Sequence, residues 1–178
     1  MRRLMLLRHA KTEPDAPSGR DQDRRLDDRG HMDAAQMGDW IATHPPVPDM
    51  ALVSPAVRAK QTWELAWDAM KDRVKPPQVA FVPDLYGADP AQLLEIIRTA
   101  TIPADPKTLL LVAHNPGMHE VALMLAGGGD SAAAKALADN LPTSGLAVFD
   151  FDVKDWGDVA YRRGKLVLFV SPKLLRQA

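Results

Sequence analysis

Two arginines and two histidines in this sequence, Arg8, His9, Arg58 and His114, have side chains that suit the binding of a tetrahedral oxyanion. A guanidinium group offers paired donors that match the oxygens of phosphate or sulfate. One imidazole can act as a nucleophile toward phosphorus, and a second can serve as a further hydrogen-bond donor. Each residue taken alone is more simply explained as a polar residue that ends a strand or opens a helix. They would form a site only if the fold brings all four side chains to one place.

Three of the four follow apolar strands directly. Residues 4–7 are an uninterrupted apolar run followed by Arg8 and His9, and Thr108–Ala113 is a second such run followed by His114. Runs of this kind are typical of strands that are covered on both faces. Because parallel strands in open α/β sheets place their chemistry at their carboxyl ends, we expect these three residues at one edge of the sheet.

Arg58 is predicted at the start of a helix. The short apolar strand of residues 50–54 ends in Ser54-Pro55, which has the form of an N-cap followed by proline at the first helical position, and the helix should continue to about residue 70. The helix dipole disfavours a cation in the first turn. An anion bound at this helix N-terminus would explain why Arg58 stands there.

Two further polar residues lie next to the proposed site residues. Lys11 follows His9 by two positions, and Asn115 follows His114 directly. Loops that are carried on a rigid sheet often supply binding groups. Lys11 and Asn115 are therefore predicted to be substrate-binding residues.

Strands alternate with helices along most of the chain, and two strands follow close together near its end. Besides the three strands named above, strands are predicted over residues 79–82, 146–152 and 165–170. This order predicts an α/β fold: a three-layer α/β/α sandwich with a mostly parallel sheet and an antiparallel strand late in the chain. Residues 1–178 suit a single domain.

Three segments are predicted to lack strands and long helices. Residues 12–29 are rich in proline, glycine and charge, which indicates a long loop that ends where Asp27 or Asp28 caps a helix. Glycines 127–129 lack the Lys-Ser/Thr ending of a phosphate loop and are interpreted as a flexible connection. The residues after Val170 are predicted to form a polar tail.

The composition limits the class of protein. The chain has 178 residues, of which 46% are apolar and 25% charged, and its formal net charge is −1. This near-neutral balance indicates neither nucleic acid nor an anionic membrane as a partner. No apolar run approaches the length of a signal-peptide core or a membrane span, so a cytoplasmic location is the default expectation.

No metal and no other cofactor is expected. The absence of cysteine excludes disulfides, thiolate nucleophiles and cysteine-based metal sites. His114 and His119 are five residues apart and do not share a helix face, and no carboxylate stands at metal-ligand spacing from them. Chemistry at this site would therefore depend on the side chains alone.

Three ordered motifs resemble those of the histidine phosphatase superfamily, whose members have the phosphoglycerate mutase-like fold. Residues 8–11 are similar to its Arg-His-Gly/Ala signature, residues 54–62 to its second motif and residues 112–116 to its third. Residues 26–30 and 85–94 resemble its short bacterial branch, the SixA-type phosphohistidine phosphatases. The resemblance extends over most of the chain.

This resemblance implies that His9 is the nucleophile and is transiently phosphorylated before water releases phosphate. Arg8, Arg58 and His114 would hold the non-bridging oxygens and stabilise the charge of phosphoryl transfer. The attack requires that His9 be neutral at the attacking nitrogen. Cationic neighbours should disfavour its protonated form, and a carbonyl or carboxylate bound to the other ring nitrogen would fix the tautomer.

A general acid is missing from the pattern. Larger members of the superfamily carry a Glu or Asp just after the third strand, where the nearest candidate in this sequence is Asp84. An alkoxide needs a proton in order to leave, whereas the imidazole of a phosphohistidine departs with far less help. We therefore expect a metal-independent phosphatase that acts on phosphohistidine in a phosphorelay or phosphotransfer protein. The alternatives are hydrolysis of a small phosphomonoester and a non-catalytic module that binds phosphoproteins.

Overall fold

Seven strands form one sheet in the computed structural model, which describes residues 1–101 and 105–177. The strands are β1 (Arg2–Arg8), β2 (Met50–Val53), β3 (Gln78–Phe81), β4 (Thr108–Ala113), β5 (Ala126–Gly129), β6 (Leu146–Phe151) and β7 (Gly164–Val170). Their order across the sheet is β3-β2-β4-β1-β6-β7-β5, and within the described residues only β6 runs against the others. The predicted mostly parallel sheet with a late antiparallel strand is confirmed.

The first apolar run of the sequence is the centre of this sheet. Strand β1 lies between β4 and β6, and its residues Leu4, Met5, Leu6 and Leu7 are at most 2% exposed. Because successive side chains of a strand point to opposite faces, Leu4 and Leu6 pack in one core while Met5 and Leu7 pack in the other. Each such side chain contributes about 1.5–3 kcal/mol to stability through burial. The strand that precedes the proposed nucleophile is therefore firmly anchored.

Helices cover both faces of the sheet. They are α1 (Asp28–Thr43), α2 (Val57–Met70), α3 (Pro90–Arg98), α4 (Gly117–Leu125), α5 (Ser131–Asp139) and α6 (Pro172–Gln177). Helices α1 and α2 pack on the face that carries Met5 and Leu7, and α3, α4 and α5 pack on the opposite face. This is the predicted three-layer arrangement. None of the helices in residues 1–101 and 105–177 is long and apolar enough to cross a membrane.

The long loop between β1 and α1 is more ordered than the sequence indicated. Asp27 caps α1 as predicted, because its side chain accepts a hydrogen bond from the Gly30 N–H at 2.7 Å. Thr12 and Leu26 form an isolated β-bridge, and Asp21–Asp23 form a 3-10 turn. These contacts fold the loop back beside the carboxyl end of β1.

The glycine stretch is a strand, so its interpretation as a flexible connection is wrong. Strand β5 pairs in parallel with β7 at the edge of the sheet. A Cβ atom at Gly127 would lie 1.7 Å from the carbonyl oxygen of Arg162, and Gly129 has a φ angle of +122°. Glycine is required here because two backbones approach more closely than a side chain would permit. That approach is a tertiary contact, which the local sequence does not reveal.

Two helix boundaries also differ from their predictions. Helix α2 begins at Val57 with Ala56 as its N-cap, so the prediction that Ser54 caps it is wrong. The hydroxyl of Ser54 is available for another partner, described below. The segment predicted as a polar tail contains helix α6, in which Arg176 lies 3.3 Å from the buried carboxylate of Asp33.

Candidate active site

The parallel pairing of β1 with β4 brings the two predicted histidines together. The backbone N–H of His9 donates to the carbonyl of Ala113 at 3.1 Å, and His114 is the next residue along that chain. The ring centroids of His9 and His114 are 5.3 Å apart. The two residues are 7% and 8% exposed. Together with the half-buried Arg8, they form a surface that we call the floor of the site.

His9 presents a free ring nitrogen. Its Nδ1 lies 2.7 Å from the carbonyl oxygen of Ala10, which can only accept a hydrogen bond, so the proton is on Nδ1 and Nε2 keeps its lone pair. Burial lowers the pKa of His9 to about 3; the bond to Ala10 opposes this shift, and the neighbouring imidazole and guanidinium groups add to it. The sequence predicted that cationic neighbours would keep His9 neutral, but burial is the larger cause. The carbonyl of Ala10 is the orienting partner that the sequence did not reveal.

His114 is oriented by a hydroxyl group. Its Nε2 lies 2.7 Å from Ser54 Oγ, which also accepts a hydrogen bond from the Ala56 N–H at 3.3 Å. The Ser54 hydroxyl has no other acceptor within the described residues, so it donates to Nε2 and the proton of the neutral ring is on Nδ1. Burial lowers the pKa of His114 to about 4; the nearby guanidinium groups add to this shift and the carboxylate of Asp21 opposes it. His114 is therefore a neutral N–H donor near pH 7.

Arg8 completes the floor. Its Nη1 donates to the carbonyl of Leu141 at 3.2 Å. Its backbone carbonyl and that of His9 both accept from the Ser144 N–H, each at 3.1 Å, so the loop before β6 is held against this strand end. Burial and the charge of Arg58 lower the pKa of Arg8, although a guanidinium stays charged in proteins.

Three buried polar atoms on this edge have no partner in the described residues. They are Arg8 Nε, His114 Nδ1 and Ser144 Oγ, and the fourth such atom, on Arg2, lies at the other end of β1. An unpaired buried donor costs about 1–3 kcal/mol. Buried polar atoms without partners are a known feature of catalytic sites. Two N–H donors beside a free imidazole nitrogen suit a tetrahedral oxyanion.

Arg58 enters from the first turn of α2 and contacts an anion of the protein itself. Its Nη1 donates to the carbonyl of Asp21 at 2.8 Å, and its Nη2 donates to Asp21 Oδ2 at 2.9 Å. The side chain of Arg58 is 8% exposed and that of Asp21 is 50% exposed. The guanidinium carbon of Arg58 lies 5.9 Å from the centroid of the Tyr86 ring, which in turn packs against His114.

Asp21 gathers three donors at the outer side of the site. Tyr86 Oη donates to Asp21 Oδ2 at 2.6 Å, and Arg24 Nη1 donates to Oδ1 at 3.1 Å, in addition to the bond from Arg58. These hydrogen bonds, the one from Tyr86 foremost, hold the pKa of Asp21 far below its ordinary value, and Asp21 in turn raises the pKa of Tyr86. The ring of Tyr86 packs edge-on against His114, with centroids 5.5 Å apart. We call Asp21, Arg24 and Tyr86 the rim.

A buried threonine joins the floor to helix α2. Thr62, which is fully buried, accepts a hydrogen bond from the Ala10 N–H at 2.9 Å and donates to the carbonyl of Arg58 at 2.7 Å. The turn after His9 and the helix that carries Arg58 are thereby fixed relative to each other. Thr62 lies in the second motif of the sequence, but its role depends on a partner 52 positions away.

Lys11 and Asn115, the predicted substrate-binding residues, lie in different surroundings. Lys11 is exposed, and its backbone carbonyl accepts from the Asp27 N–H at 3.0 Å. The amide of Asn115 donates to the carbonyl of Leu141 at 2.8 Å and accepts from the His119 N–H at 3.2 Å. Asn115 thus secures the carbonyl that Arg8 also uses, and substrate binding by either residue stays a prediction.

Asp84, the nearest sequence candidate for a general acid, lies elsewhere. It is exposed in the 3-10 turn Pro83–Leu85 and lines a groove of about 350 Å³ with Leu52, Val82 and residues of α3. None of the floor or rim residues lines that groove. The carboxylate that does stand beside the site is Asp21, which sequence reasoning missed. Its contacts with Arg58 and Tyr86 span 37 and 65 positions, so no local pattern could have identified it.

The floor can both attack phosphorus and hold its oxygens. His9 supplies a neutral imidazole nitrogen, and Arg8 and His114 supply buried donors. Among the described residues no group of three or more His, Asp or Glu side chains could hold a metal ion.

Comparisons with known proteins agree with this arrangement. The model of the histidine phosphatase superfamily (branch 1) matches residues 4–80. An uncharacterized protein of Mycobacterium leprae is 33% identical over 173 residues, which are 94% of this chain and 100% of the relative. A solved structure of SixA from Agrobacterium tumefaciens is 31% identical with a TM-score of 0.75 and covers 96% of this chain and 99% of its own. SixA from Nakamurella multipartitia is 28% identical with a TM-score of 0.80, covering 96% of each chain.

Proposed function

Since the chain belongs to the histidine phosphatase superfamily, we propose that it is a single-domain phosphatase in which His9 is the nucleophile and forms a phosphohistidine intermediate. The observation that carries this proposal is the hydrogen bond of 2.7 Å from His9 Nδ1 to the Ala10 carbonyl. It leaves Nε2 unprotonated, and burial keeps the pKa of the ring at about 3, so the nucleophile is ready at neutral pH without a separate base.

The reaction proceeds in two displacements. The lone pair of His9 Nε2 attacks phosphorus, the bond from phosphorus to the leaving group breaks, and its electron pair departs with the leaving group. Water then attacks the phosphorus of the phosphorylated His9, and the electron pair of that bond returns to Nε2 as phosphate leaves. Arg8, Arg58 and His114 hold the non-bridging oxygens through both steps, which is where most of the catalytic effect in phosphoryl transfer arises.

The absence of a proton-donating acid at the leaving group, within the described residues, supports one substrate class. Among the described carboxyl groups, Asp21 stands beside the site but is held ionised by Tyr86, Arg24 and Arg58, and Asp84 lies in another groove. An imidazole leaves without a proton from the protein, whereas an alkoxide does not. We propose that the substrate is phosphohistidine in a signalling or phosphotransfer protein. The similar structures from Agrobacterium and Nakamurella are assigned by name to the SixA phosphohistidine phosphatases, which supports this choice.

Trapping of the intermediate tests the nucleophile. The protein is mixed with a ³²P-labelled phosphohistidine peptide and quenched within milliseconds, one half in acid and one half in alkali. Label that survives alkali and is lost in acid is expected, because a phosphoramidate has that stability. The variant His9→Ala should retain no label, and label retained on this variant would contradict the assignment. His31→Ala, at an exposed position of α1, is the matched control.

Rates on two substrates test the substrate class. The phosphohistidine peptide and p-nitrophenyl phosphate are assayed side by side, and faster turnover of the peptide is expected. Faster turnover of the ester would favour a small-molecule phosphomonoesterase. Binding of phosphopeptide with no turnover of either substrate would favour a non-catalytic binding module.

A further inference from the structure

The negatively charged side chain of Asp21 stands beside a site that is proposed to bind an anion. Its Oδ2 lies 2.9 Å from Arg58 Nη2 and 2.6 Å from Tyr86 Oη, and its Oδ1 lies 3.1 Å from Arg24 Nη1. The carboxylate is half exposed, whereas His9 is 7% exposed. Asp21 is therefore at the outer side of the site and the nucleophile is at its inner side.

In-line transfer fixes which part of the substrate meets Asp21. The attacking and leaving atoms stand on opposite sides of phosphorus. Because His9 attacks from the buried floor, the leaving group must point outward, toward the rim. Among the described residues Asp21 is the carboxylate that contacts both an arginine of the site and the tyrosine packed on His114. The leaving group consequently departs past the carboxylate of Asp21, which is itself paired with Arg58 and Arg24.

Asp21 stays ionised at any ordinary pH. The hydrogen bond from Tyr86 is the largest cause of its lowered pKa, and those from Arg24 and Arg58 follow. Asp21 also raises the pKa of His114 against the effect of burial, so its field extends into the floor. Asp15 and Arg20 line a cavity of about 250 Å³ together with Asp21 and Arg24.

We propose that Asp21 is a specificity-determining residue. It favours leaving groups that are cationic before the bond to phosphorus breaks and neutral afterwards, and it disfavours leaving groups that depart as anions. This inference rests on the proposed function and extends it from phosphohistidine to phosphoramidates as a class. When the ring of a phosphohistidine is protonated on its second nitrogen, the breaking P–N bond returns its electron pair to the leaving nitrogen and the cation departs as neutral imidazole. When the P–O bond of an ester breaks, the electron pair leaves an anionic oxygen that the carboxylate repels.

The experiment compares the selectivity of variants that differ in this one charge. The ratio of kcat/KM for an Nτ-phosphohistidine peptide to kcat/KM for p-nitrophenyl phosphate is measured for the parent, Asp21→Asn, Asp21→Glu and Asp23→Asn. Asp21→Asn should lower the ratio about tenfold, the size expected of a charge a few ångströms from the leaving atom in a partly solvated site. Asp21→Glu, which keeps the charge, should restore the ratio to within about threefold of the parent.

Asp23→Asn is the matched control, because Asp23 lies in the same 3-10 turn and contacts Ser18 instead of the site. It should leave the ratio unchanged. An equal fall of both activities in Asp21→Asn would show that Asp21 only supports Arg58 and would overturn the inference. If Asp21→Asn does not fold by circular dichroism, Asp21→Ser removes the same charge and takes its place.

The proposed function fails separately from this inference. Absence of phosphohistidine turnover in the parent protein, or of label on His9, contradicts the function itself. Turnover by the parent together with an unchanged ratio in Asp21→Asn contradicts only the role of Asp21.

Discussion

The floor and the rim of the site are built on different principles. Arg8, His9 and His114 stand at the ends of two buried parallel strands, and both histidines are less than 10% exposed. Asp21 stands in a short 3-10 turn, Arg24 and Tyr86 each follow such a turn, and Asp21 is 50% exposed. The floor is therefore as rigid as the sheet, whereas the rim depends on hydrogen bonds between segments that are distant in sequence.

This difference separates two tasks. Burial in the floor removes water from both imidazoles and keeps them neutral, and two buried donors of the floor have no partner within the described residues. Such a surface is suited to hold the reacting anion, because its donors need no reorganisation when charge develops. The rim stays near solvent, where a charge acts more weakly and can distinguish one leaving group from another. Loss of a floor group should thus affect every substrate, and loss of a rim group should affect some more than others.

The largest effect is expected from a floor donor. Arg8→Gln should lower kcat by about 10²–10³-fold for phosphohistidine and ester substrates alike, since it removes a donor to the charge of the transition state. Steady-state kinetics on both substrates measure this loss. Arg163→Gln, an exposed arginine next to the amino end of β7, should retain full activity. A loss of kcat below about tenfold in Arg8→Gln would show that Arg8 does not stabilise the charge of the transition state.

The floor histidines should make the protein sensitive to acid. Burial lowers the pKa of His9 from 6.5 to about 3, so between these pH values the unfolded chain binds a proton that the folded chain does not. Stability is complete above pH 6.5 and falls as pH falls toward 3. Between pH 7 and pH 4, the protonation of His9 should lower the free energy of unfolding of the parent by roughly 3 kcal/mol. This loss should be absent in His9→Gln. Urea denaturation at pH 7 and pH 4 measures the difference.

His31→Gln, at an exposed position of α1, is the control for the acid measurement and should show the same fall in stability as the parent. Equal pH dependence of the parent and His9→Gln would mean that His9 is solvated, and the contrast between floor and rim would lose its electrostatic basis.

A smaller effect is expected from the hydroxyl that orients His114. Ser54→Ala removes the bond of 2.7 Å to His114 Nε2 and should lower kcat about fivefold to tenfold, as the loss of one orienting hydrogen bond does. Ser171→Ala, which removes a buried hydroxyl that bonds to the Leu174 N–H, should leave kcat unchanged. Unaltered kinetics in Ser54→Ala would show that packing alone holds His114.

The smallest effect is expected from the hydroxyl of Tyr86. Tyr86→Phe removes one of three side chains that donate to Asp21 and keeps the ring against His114, so kcat/KM should fall only about two- to threefold. Kinetics on the phosphohistidine peptide provide the measurement. A fall of a hundredfold or more would mean that Tyr86 belongs functionally with the floor.

The fold was largely predictable because its strands carry strong local signals. Residues 4–7 and Thr108–Ala113 are apolar on both faces, and their residues alternate between the two cores of the sheet as a central strand requires. Glycines 127–129 were misinterpreted because their reason is a close approach to Arg162, which is a contact between distant segments. Ser54 was assigned to the wrong task for the same reason: its hydroxyl bonds to a histidine 60 positions away.

The sequence by itself determined which residues end the strands of the sheet, because apolar runs and the residues that follow them are local properties of the chain. His9, Arg8 and His114 could therefore be placed at one edge before any coordinates were known. Only the tertiary structure decided the tautomer of His9, the orientation of His114 and the contact of Asp21 with Arg58 and Tyr86. These are hydrogen bonds of specific atoms, and their geometry is set by how separate segments pack, which no local pattern of residue types encodes.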